Sequence, residues 1–367
     1  MNLLYITNNS NNIDGGLNWS VPAGVKAQQK YDNVLWVDLT VGAFLEHWGE
    51  VEAYHNIKDF GDKISLDILP VPFNRPDCVI FEGFYFMEQV VFSWELRKKG
   101  IPYIIIPRGA LTANSFFNGG WLKYLKKKIA HLIIFKPFIN NAIVLQYLTE
   151  KESEESHKNF SKKSYILPNG FSTPVVHKEK FSEGIRAVFI GRQDIYHKGL
   201  DLLLYSIKEL YSELRQVGFK LDIYGPPRYN VKQVTEMIHE LGIDEIVINH
   251  ERGISGEEKQ KVLLEADVFV LTSRFEGHPM SLIEALAYGL PSLITRGANM
   301  YDEVKDAGAG WVCETSQDGV TMALRQMIAD KRRFKEISIK ARKLAALYDW
   351  DELARQFHDK LSTLLNE

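Results

Sequence analysis

Cysteine is scarce: Cys78 and Cys313 are the two in 367 residues, far apart and in neither a metal-ligand spacing nor a CxxC pair. That leaves no disulfide framework to read, and both are expected to be small core residues in a reducing compartment. No apolar run approaches the ~20 residues that a membrane span needs. The chain opens on an apolar, strand-like stretch from Asn2 to Thr7 with no basic leader, so the cytoplasm is the expected address. Charge of one sign is also lacking, with 44 Lys and Arg against 47 Asp and Glu and a net charge of −3. This balance argues against a nucleic-acid binder that depends on global positive charge. Low-complexity tracts are absent.

What remains is a globular composition, 45% hydrophobic and 25% charged, in a chain too long for one ordinary domain. Short apolar runs alternate with amphipathic helical stretches. Strands are predicted at 3–6, 33–38, 78–81, 103–107 and 142–146, then at 187–190, 220–224, 246–249, 268–271 and 291–294. Their near-continuous apolar character fits strands buried on both faces of a parallel sheet. Strict alternation with helices implies two doubly wound α/β domains, expected to face each other across a cleft. The break falls near Pro168-Asn169-Gly170 and is followed by polar residues to about Glu183. The expected domains are 1–170, 171–348 and a C-terminal helix in 349–367 that packs back on the first domain. Ligands of such sheets sit beyond the carboxyl ends of the strands, and the informative residues lie there.

The strongest signal is Thr272-Ser273-Arg274-Phe275-Glu276-Gly277-His278-Pro279-Met280-Ser281-Leu282-Ile283-Glu284-Ala285, which runs from a strand through a glycine loop into a helix. Pro279 suits a first helical turn, and the amides of Met280, Ser281 and Leu282 are expected to form an anion-binding helix start. Glu276 and Glu284, with seven residues between them, can accept paired hydroxyl hydrogen bonds from different parts of one ligand. The second signal is Gly191-Arg192, followed by Lys198-Gly199, again after a strand. Two cations there can hold a diphosphate as it becomes a leaving group, work otherwise given to a divalent ion. No carboxylate cluster for such an ion is apparent, so no metal site is expected. A weaker signal is Asp14-Gly15-Gly16, before a helix expected to open near Pro22, where glycine lets a backbone approach a ligand.

Together these residues resemble the GT4 family of retaining glycosyltransferases, over essentially the whole chain. The family's E-x7-E pattern stands as Glu276 and Glu284, its Gly-Arg and Lys-Gly pattern as Arg192 and Lys198, and its Pro-Asn-Gly as Pro168 to Gly170. The resemblance implies a GT-B fold of two Rossmann-like domains, the first binding acceptor and the second the nucleotide-sugar donor. It implies a hexosyltransferase (EC 2.4) that needs no metal and keeps the anomeric configuration. Arg192 and Lys198 would bind the diphosphate, Glu284 the ribose and Glu276 the transferred sugar. Gly16, Gly191, Arg252 and Gly277 to Leu282, including His278, complete the expected donor site.

Many relatives carry a His after the fourth strand of the first domain, where this chain has Pro107-Arg108-Gly109. That variant resembles transferases of bacterial surface polysaccharides. Arg108 is then expected to face the sugar or the acceptor, in an electrostatic or positional role, since a guanidinium is no base at neutral pH. Glu82, Gly83 and Asn114 are expected on the acceptor side. UDP is the favoured base on frequency, and a glycan or lipid-linked oligosaccharide the expected acceptor. Residues 121–138 read as a basic amphipathic helix, with Lys123, Lys126, Lys127 and Lys128 near its start: either it touches an anionic membrane at the inner face of the cell membrane, or it is a domain helix with its apolar side on the core and a solvated lysine face. A sugar-nucleotide epimerase and a non-catalytic transferase-like subunit are the rival readings. The first needs an acid and base beside the sugar ring; the second, loss of the glutamates or cations.

Overall fold

The computed structural model describes residues 1–9, 17–42, 48–111, 131–157, 162–227 and 230–367. Its contacts divide the chain into two compact units: Met1–Gly170 with Trp350–Glu367, and Phe171–Asp349.

The first unit holds a seven-stranded sheet of β1 (Asn2–Thr7), β2 (Asn33–Asp38), β3 (Tyr54–Asn56), β4 (Cys78–Glu82), β5 (Tyr103–Ile106), β6 (Val144–Tyr147) and β7 (Ser164–Ile166). The order is β3-β2-β1-β4-β5-β6-β7, and every pair is parallel. Helices α1 (Leu17–Gln28), α2 (Met87–Lys99), α3 (Lys136–Asn141) and α4 (Glu150–His157) follow strands. One face of the sheet carries Leu4, Ile6, Phe81 and Ile105 against Phe92, Leu96 and Phe138; the other carries Leu3, Trp36, Ile80 and Ile104 against Val21, Val25 and the C-terminal helix. Burial on both faces explains why these strands read as unbroken apolar runs.

The second unit holds a six-stranded parallel sheet, β10-β9-β8-β11-β12-β13, built from β8 (Ile185–Ile190), β9 (Phe219–Tyr224), β10 (Val247–Asn249), β11 (Val268–Leu271), β12 (Ser292–Thr295) and β13 (Gly310–Cys313). Its helices are α5 (Leu200–Glu209), α6 (Tyr211–Gln216), α7 (Val231–Leu241), α8 (Gly256–Glu265), α9 (Met280–Ala287), α10 (Tyr301–Ala307), α11 (Gln317–Ala329) and α12 (Phe334–Ala345). The chain then returns to the first unit as α13 (Trp350–Asn366), whose Leu353, Phe357 and Leu361 enter that unit's core. Lys30 meets Asp351 at 2.5 Å, and His358 lies 2.9 Å from Asp32, which tie α13 to the end of α1.

Some predicted boundaries move. The helix expected near Pro22 opens at Leu17, with Pro22 buried in its interior. Two strands stop short of or start after a proline: β5 ends at Ile106 rather than Pro107, and β12 begins at Ser292 rather than Pro291, because proline has no N–H to give a ladder. Both cysteines are buried free thiols. Burial pushes Cys313 up to about 12 and Cys78 higher still, so neither is a ready nucleophile.

Candidate active site

Apart from Gly16, the residues expected to bind donor lie at the carboxyl edge of the six-stranded sheet. Two loops there are zipped together. After β8, residues 191–199 run to α5; after β11, residues 272–279 run to α9. Arg274 N donates to His197 O at 2.8 Å, and Thr272 Oγ1 donates to Gly199 O at 2.9 Å. The Arg274 guanidinium grips Asp201 with two 2.7 Å bonds and lies 4.4 Å from the Tyr196 ring. Gly199 has φ +59°, and a Cβ there would stand 2.0 Å from Thr272 O, so this junction admits glycine alone. Gly297 performs the same service from β12, where a Cβ would meet Ser273 O and Arg274 O at 2.3 Å.

This zipper brings Lys198 to Glu276, two residues 78 positions apart. Lys198 Nζ donates to Glu276 Oε1 at 2.5 Å, with the two side chains 12% and 13% exposed. Ser273 Oγ donates to the same oxygen at 2.5 Å, so Glu276 is held as an oriented carboxylate. Glu284, one turn into α9, is paired with Lys259 of α8. Each glutamate of the motif thus faces a lysine from another element, Lys198 from the loop after β8 and Lys259 from α8. Arg192, directly after β8, is exposed.

The edge continues through β9 and β10. Gly191 N donates to Tyr224 O at 3.0 Å, and Gly225 N to Arg252 O at 3.0 Å. Gln193 and Asn249 exchange amide hydrogen bonds of 2.7 and 2.9 Å. The Tyr224 and His250 rings stack at 4.2 Å, 4° from parallel, with His250 Nε2 2.6 Å from an Asp222 oxygen. Arg252 lies 6.0 Å from the Tyr224 ring and pairs with Glu258 through two bonds of 2.9 and 2.5 Å. Pro279 stands one place earlier than expected, as the cap before α9 rather than in its first turn. The amides of Met280 and Leu282 donate to His278 O at 3.0 Å and Pro279 O at 2.9 Å, so they are engaged within the turn. Asn299 Nδ2 donates to Gly277 O at 2.5 Å and pins the glycine loop.

Sequence reasoning missed Lys259, Ser273 and the Tyr224–His250 stack. Lys259 is the one with a readable signal, a cation in the first turn of a helix that follows a strand-end loop.

In the first unit Arg108 is engaged on every side. It donates to both oxygens of Glu82 (2.7 and 3.1 Å), to Ser20 Oγ (2.9 Å) and to Asn169 Oδ1 (2.6 Å). Arg108 adopts φ +52° and Gly109 φ +80°, a turn that directs the guanidinium back onto β4. Glu82 and Arg108 line a cavity of about 50 Å³ together with Tyr5, Gln146 and Trp350, room for ordered water. Four of the five N–H groups of Arg108 are used inside this unit, so it braces Glu82, Ser20 and Asn169. Gly83 follows Glu82 with φ +84°. Gly16 and Asn114 lie outside the described residues, as do Lys123, Lys126, Lys127 and Lys128 of the predicted basic helix. Its described end turns at His131–Phe135 into α3, with Phe135 and Phe138 buried and Ile133 exposed. Among the described residues no three His, Cys, Asp or Glu side chains gather as a metal site, and no helix is long and apolar enough to cross a membrane.

Two parallel-sheet Rossmann-like units with this strand-end edge define a GT-B fold, and residues 176–344 match the family described as Glycosyl transferases group 1. Arg192, Lys198, Glu276 and Glu284 all lie within the segment that matches this family. Among individual proteins, the chain is 27% identical over 198 residues to an "MMP alpha-(1->4)-mannosyltransferase" of Mycolicibacterium hassiacum, covering 52% of this chain and 46% of that one. The match spans about half the length of that curated relative. Among solved structures, Anabaena Alr3699/HepE in complex with UDP superposes with a TM-score of 0.73 over 99% of this chain and 100% of that one, at 16% identity. The lipopolysaccharide outer core galactosyltransferase WaaB, in its apo form, gives 0.70 over 99% of each chain, also at 16% identity.

Proposed function

We propose that this protein is a retaining, metal-independent hexosyltransferase that moves a sugar from a nucleotide diphosphate-sugar to a glycan or lipid-linked oligosaccharide in polysaccharide biosynthesis. The observation that carries this reading is the Lys198–Glu276 pair, assembled by two strand-end loops inside the group 1 domain. A diphosphate entering there meets Lys198 and Arg192, and cations preorganised at a leaving group lower the barrier to its departure. Glu276 then accepts hydroxyls of the transferred sugar and Glu284 those of the ribose. The bond from the anomeric carbon to the phosphate oxygen breaks with its electron pair going to the diphosphate. The acceptor oxygen bonds to the same face of that carbon, and its proton passes to the departing phosphate oxygen. UDP is the favoured base, supported by the UDP in the Alr3699/HepE structure. Arg108 supports the site from its brace with Glu82 and Asn169, as a positioning residue. The enzyme works at the cytoplasmic face of the membrane, drawn there by the lysines at 123–128.

The test is a thermal-shift panel of UDP, GDP, ADP, CMP and common nucleotide sugars with EDTA present. A nucleotide at 100 times its dissociation constant stabilises by ~2.7 kcal/mol. One base should raise the melt without metal; if none does, the donor site and the mechanism fall together.

A further inference from the structure

The carboxyl edge of the first unit's sheet holds a second group of polar side chains, apart from the Arg108 brace. Thr7 and Asp38 form the last pair of the β1–β2 ladder, and Asn9 follows two residues beyond Thr7. Asp38, Asn9 and Gln89 of α2 are each almost wholly inaccessible, at 0%, 1% and 0%. One oxygen of Asp38 serves the fold itself, since Oδ1 accepts from Asn9 N at 3.2 Å and from Thr40 N at 2.9 Å and so closes the turn after β2. The other oxygen, Oδ2, makes no hydrogen bond of good geometry among the described residues, although the Asn9 and Thr7 side chains lie beside the carboxylate, and Nδ2 and Oδ1 of Asn9 and Oε1 of Gln89 make none either. Gln89 Nε2 is anchored on Asn8 Oδ1 at 3.1 Å and Glu82 O at 3.2 Å. Four polar atoms on these three side chains are thus without a well-formed hydrogen bond.

Buried polar atoms without partners are costly, and a fold retains several in one place when a ligand supplies the missing bonds. The turn after β2 would be closed as well by the oxygen of an Asn or a Ser. A carboxylate there is more than the turn requires, and burial raises its pKa to about 6 against the pull of its neighbours' hydrogen bonds. The place is also where parallel sheets bind ligands, beyond the carboxyl ends of adjacent strands.

We propose that Asp38 and Asn9, flanked by Gln89, form a subsite for the acceptor that holds adjacent hydroxyls of a sugar ring. This rests on the transferase reading above. A hydroxyl can donate to Asp38 Oδ2 while a neighbouring one accepts from Asn9 Nδ2, a pairing that suits a vicinal diol and is repulsive to a phosphate. The acceptor therefore presents an uncharged sugar unit at this point.

The experiment is saturation-transfer NMR on the full chain at pH 8, with methyl α-glucoside, methyl α-galactoside, methyl α-mannoside and methyl N-acetyl-α-glucosaminide at millimolar concentration. Wild type, Asp38→Asn and Asn9→Ala are compared, with UDP binding followed in parallel. At least one glycoside should bind wild type and weaken by about tenfold or more in both variants, the scale of a hydrogen bond to a charged group. UDP binding should be unchanged, and Asp38→Asn should melt above wild type because it removes a buried charge. The proposal is overturned if no glycoside binds wild type, if the variants bind as wild type does, or if Asp38→Asn melts lower, which marks a structural carboxylate. Failure of wild type to bind any nucleotide would instead count against the transferase reading, and the glycoside result would still decide the subsite.

Discussion

Replacing Asp38 with Asn should stabilise the fold, by an amount that follows from its surroundings. Burial raises the folded-state pKa from 3.8 to about 6. At 1.36 kcal/mol per unit, the ionised carboxylate costs the folded chain about 2–3 kcal/mol. The sign is that of a raised carboxyl: the folded protein holds the proton more tightly than the unfolded chain. The cost is absent below pH 3.8, grows as pH rises from 3.8 to 6, and is constant above. An Asn at this position keeps the oxygen that closes the turn and carries no charge. For a unit of this size, 1 kcal/mol moves a melting temperature by about 2–4 °C. Asp38→Asn should therefore melt about 4–12 °C above wild type at pH 8, with the gap shrinking to about a third of that at pH 4.5. Glu152 and Glu303 are also raised by burial, but they are common to both proteins and cancel in the comparison. Calorimetry at the two pH values measures the gap. A variant less stable at pH 8, or a gap that does not change with pH, would refute the reasoning.

Lys198→Ala and Glu284→Ala should each cut transfer by about 10²-fold or more with the fold intact, the scale of one lost preorganised contact; near wild-type rates in both would remove the site assignment. Gly199→Ala forces a side chain into the left-handed region and onto Thr272 O, and should destabilise the second unit by about 3 kcal/mol or more and lose nucleotide binding. A wild-type melt in that variant would show that the two loops are not locked. Changing Lys123, Lys126, Lys127 and Lys128 to Glu should abolish binding to anionic liposomes while the UDP-induced thermal shift persists, since each lysine near such a surface contributes ~1 kcal/mol.

The strands that sequence reasoning missed are β3, β7 and β13, and all three are sheet edges. Tyr54, His55 and Asn56 of β3 are only half-buried, and β13 alternates buried with half-buried residues. An edge strand pairs on one side and needs no continuous apolar run, so its signal is weak. The nine central runs were legible because burial on both faces leaves a compositional mark, and the fourth edge, β10, was legible from the apolar run 246–248. The site was legible where a motif lies in one stretch, as from Glu276 to Glu284. It was not where function arises from pairing across elements, as Lys259 with Glu284. In the sequence Asp38 stands only as the end of a predicted strand. An ionisable residue closing an otherwise apolar buried strand is a signal that could have singled it out.

The lysine partners of Glu276 and Glu284 bear on how a donor would enter. Without ligand, each motif carboxylate is neutralised by an ammonium from a neighbouring connection, so neither charge stands alone in a partly buried place. On the proposed reading a diphosphate arriving at Lys198 would offer that ammonium a stronger partner and free Glu276 to accept hydroxyls, while Ser273 would keep the carboxylate oriented. The added negative charge of the diphosphate would then be shared between Lys198 and Arg192, while Glu276 would exchange its ammonium for sugar hydroxyls. This is why the two residues should fail together: removing Lys198 strands Glu276 as well as the diphosphate, and a Lys198→Ala, Glu276→Gln double variant should cost less than the sum of the single losses.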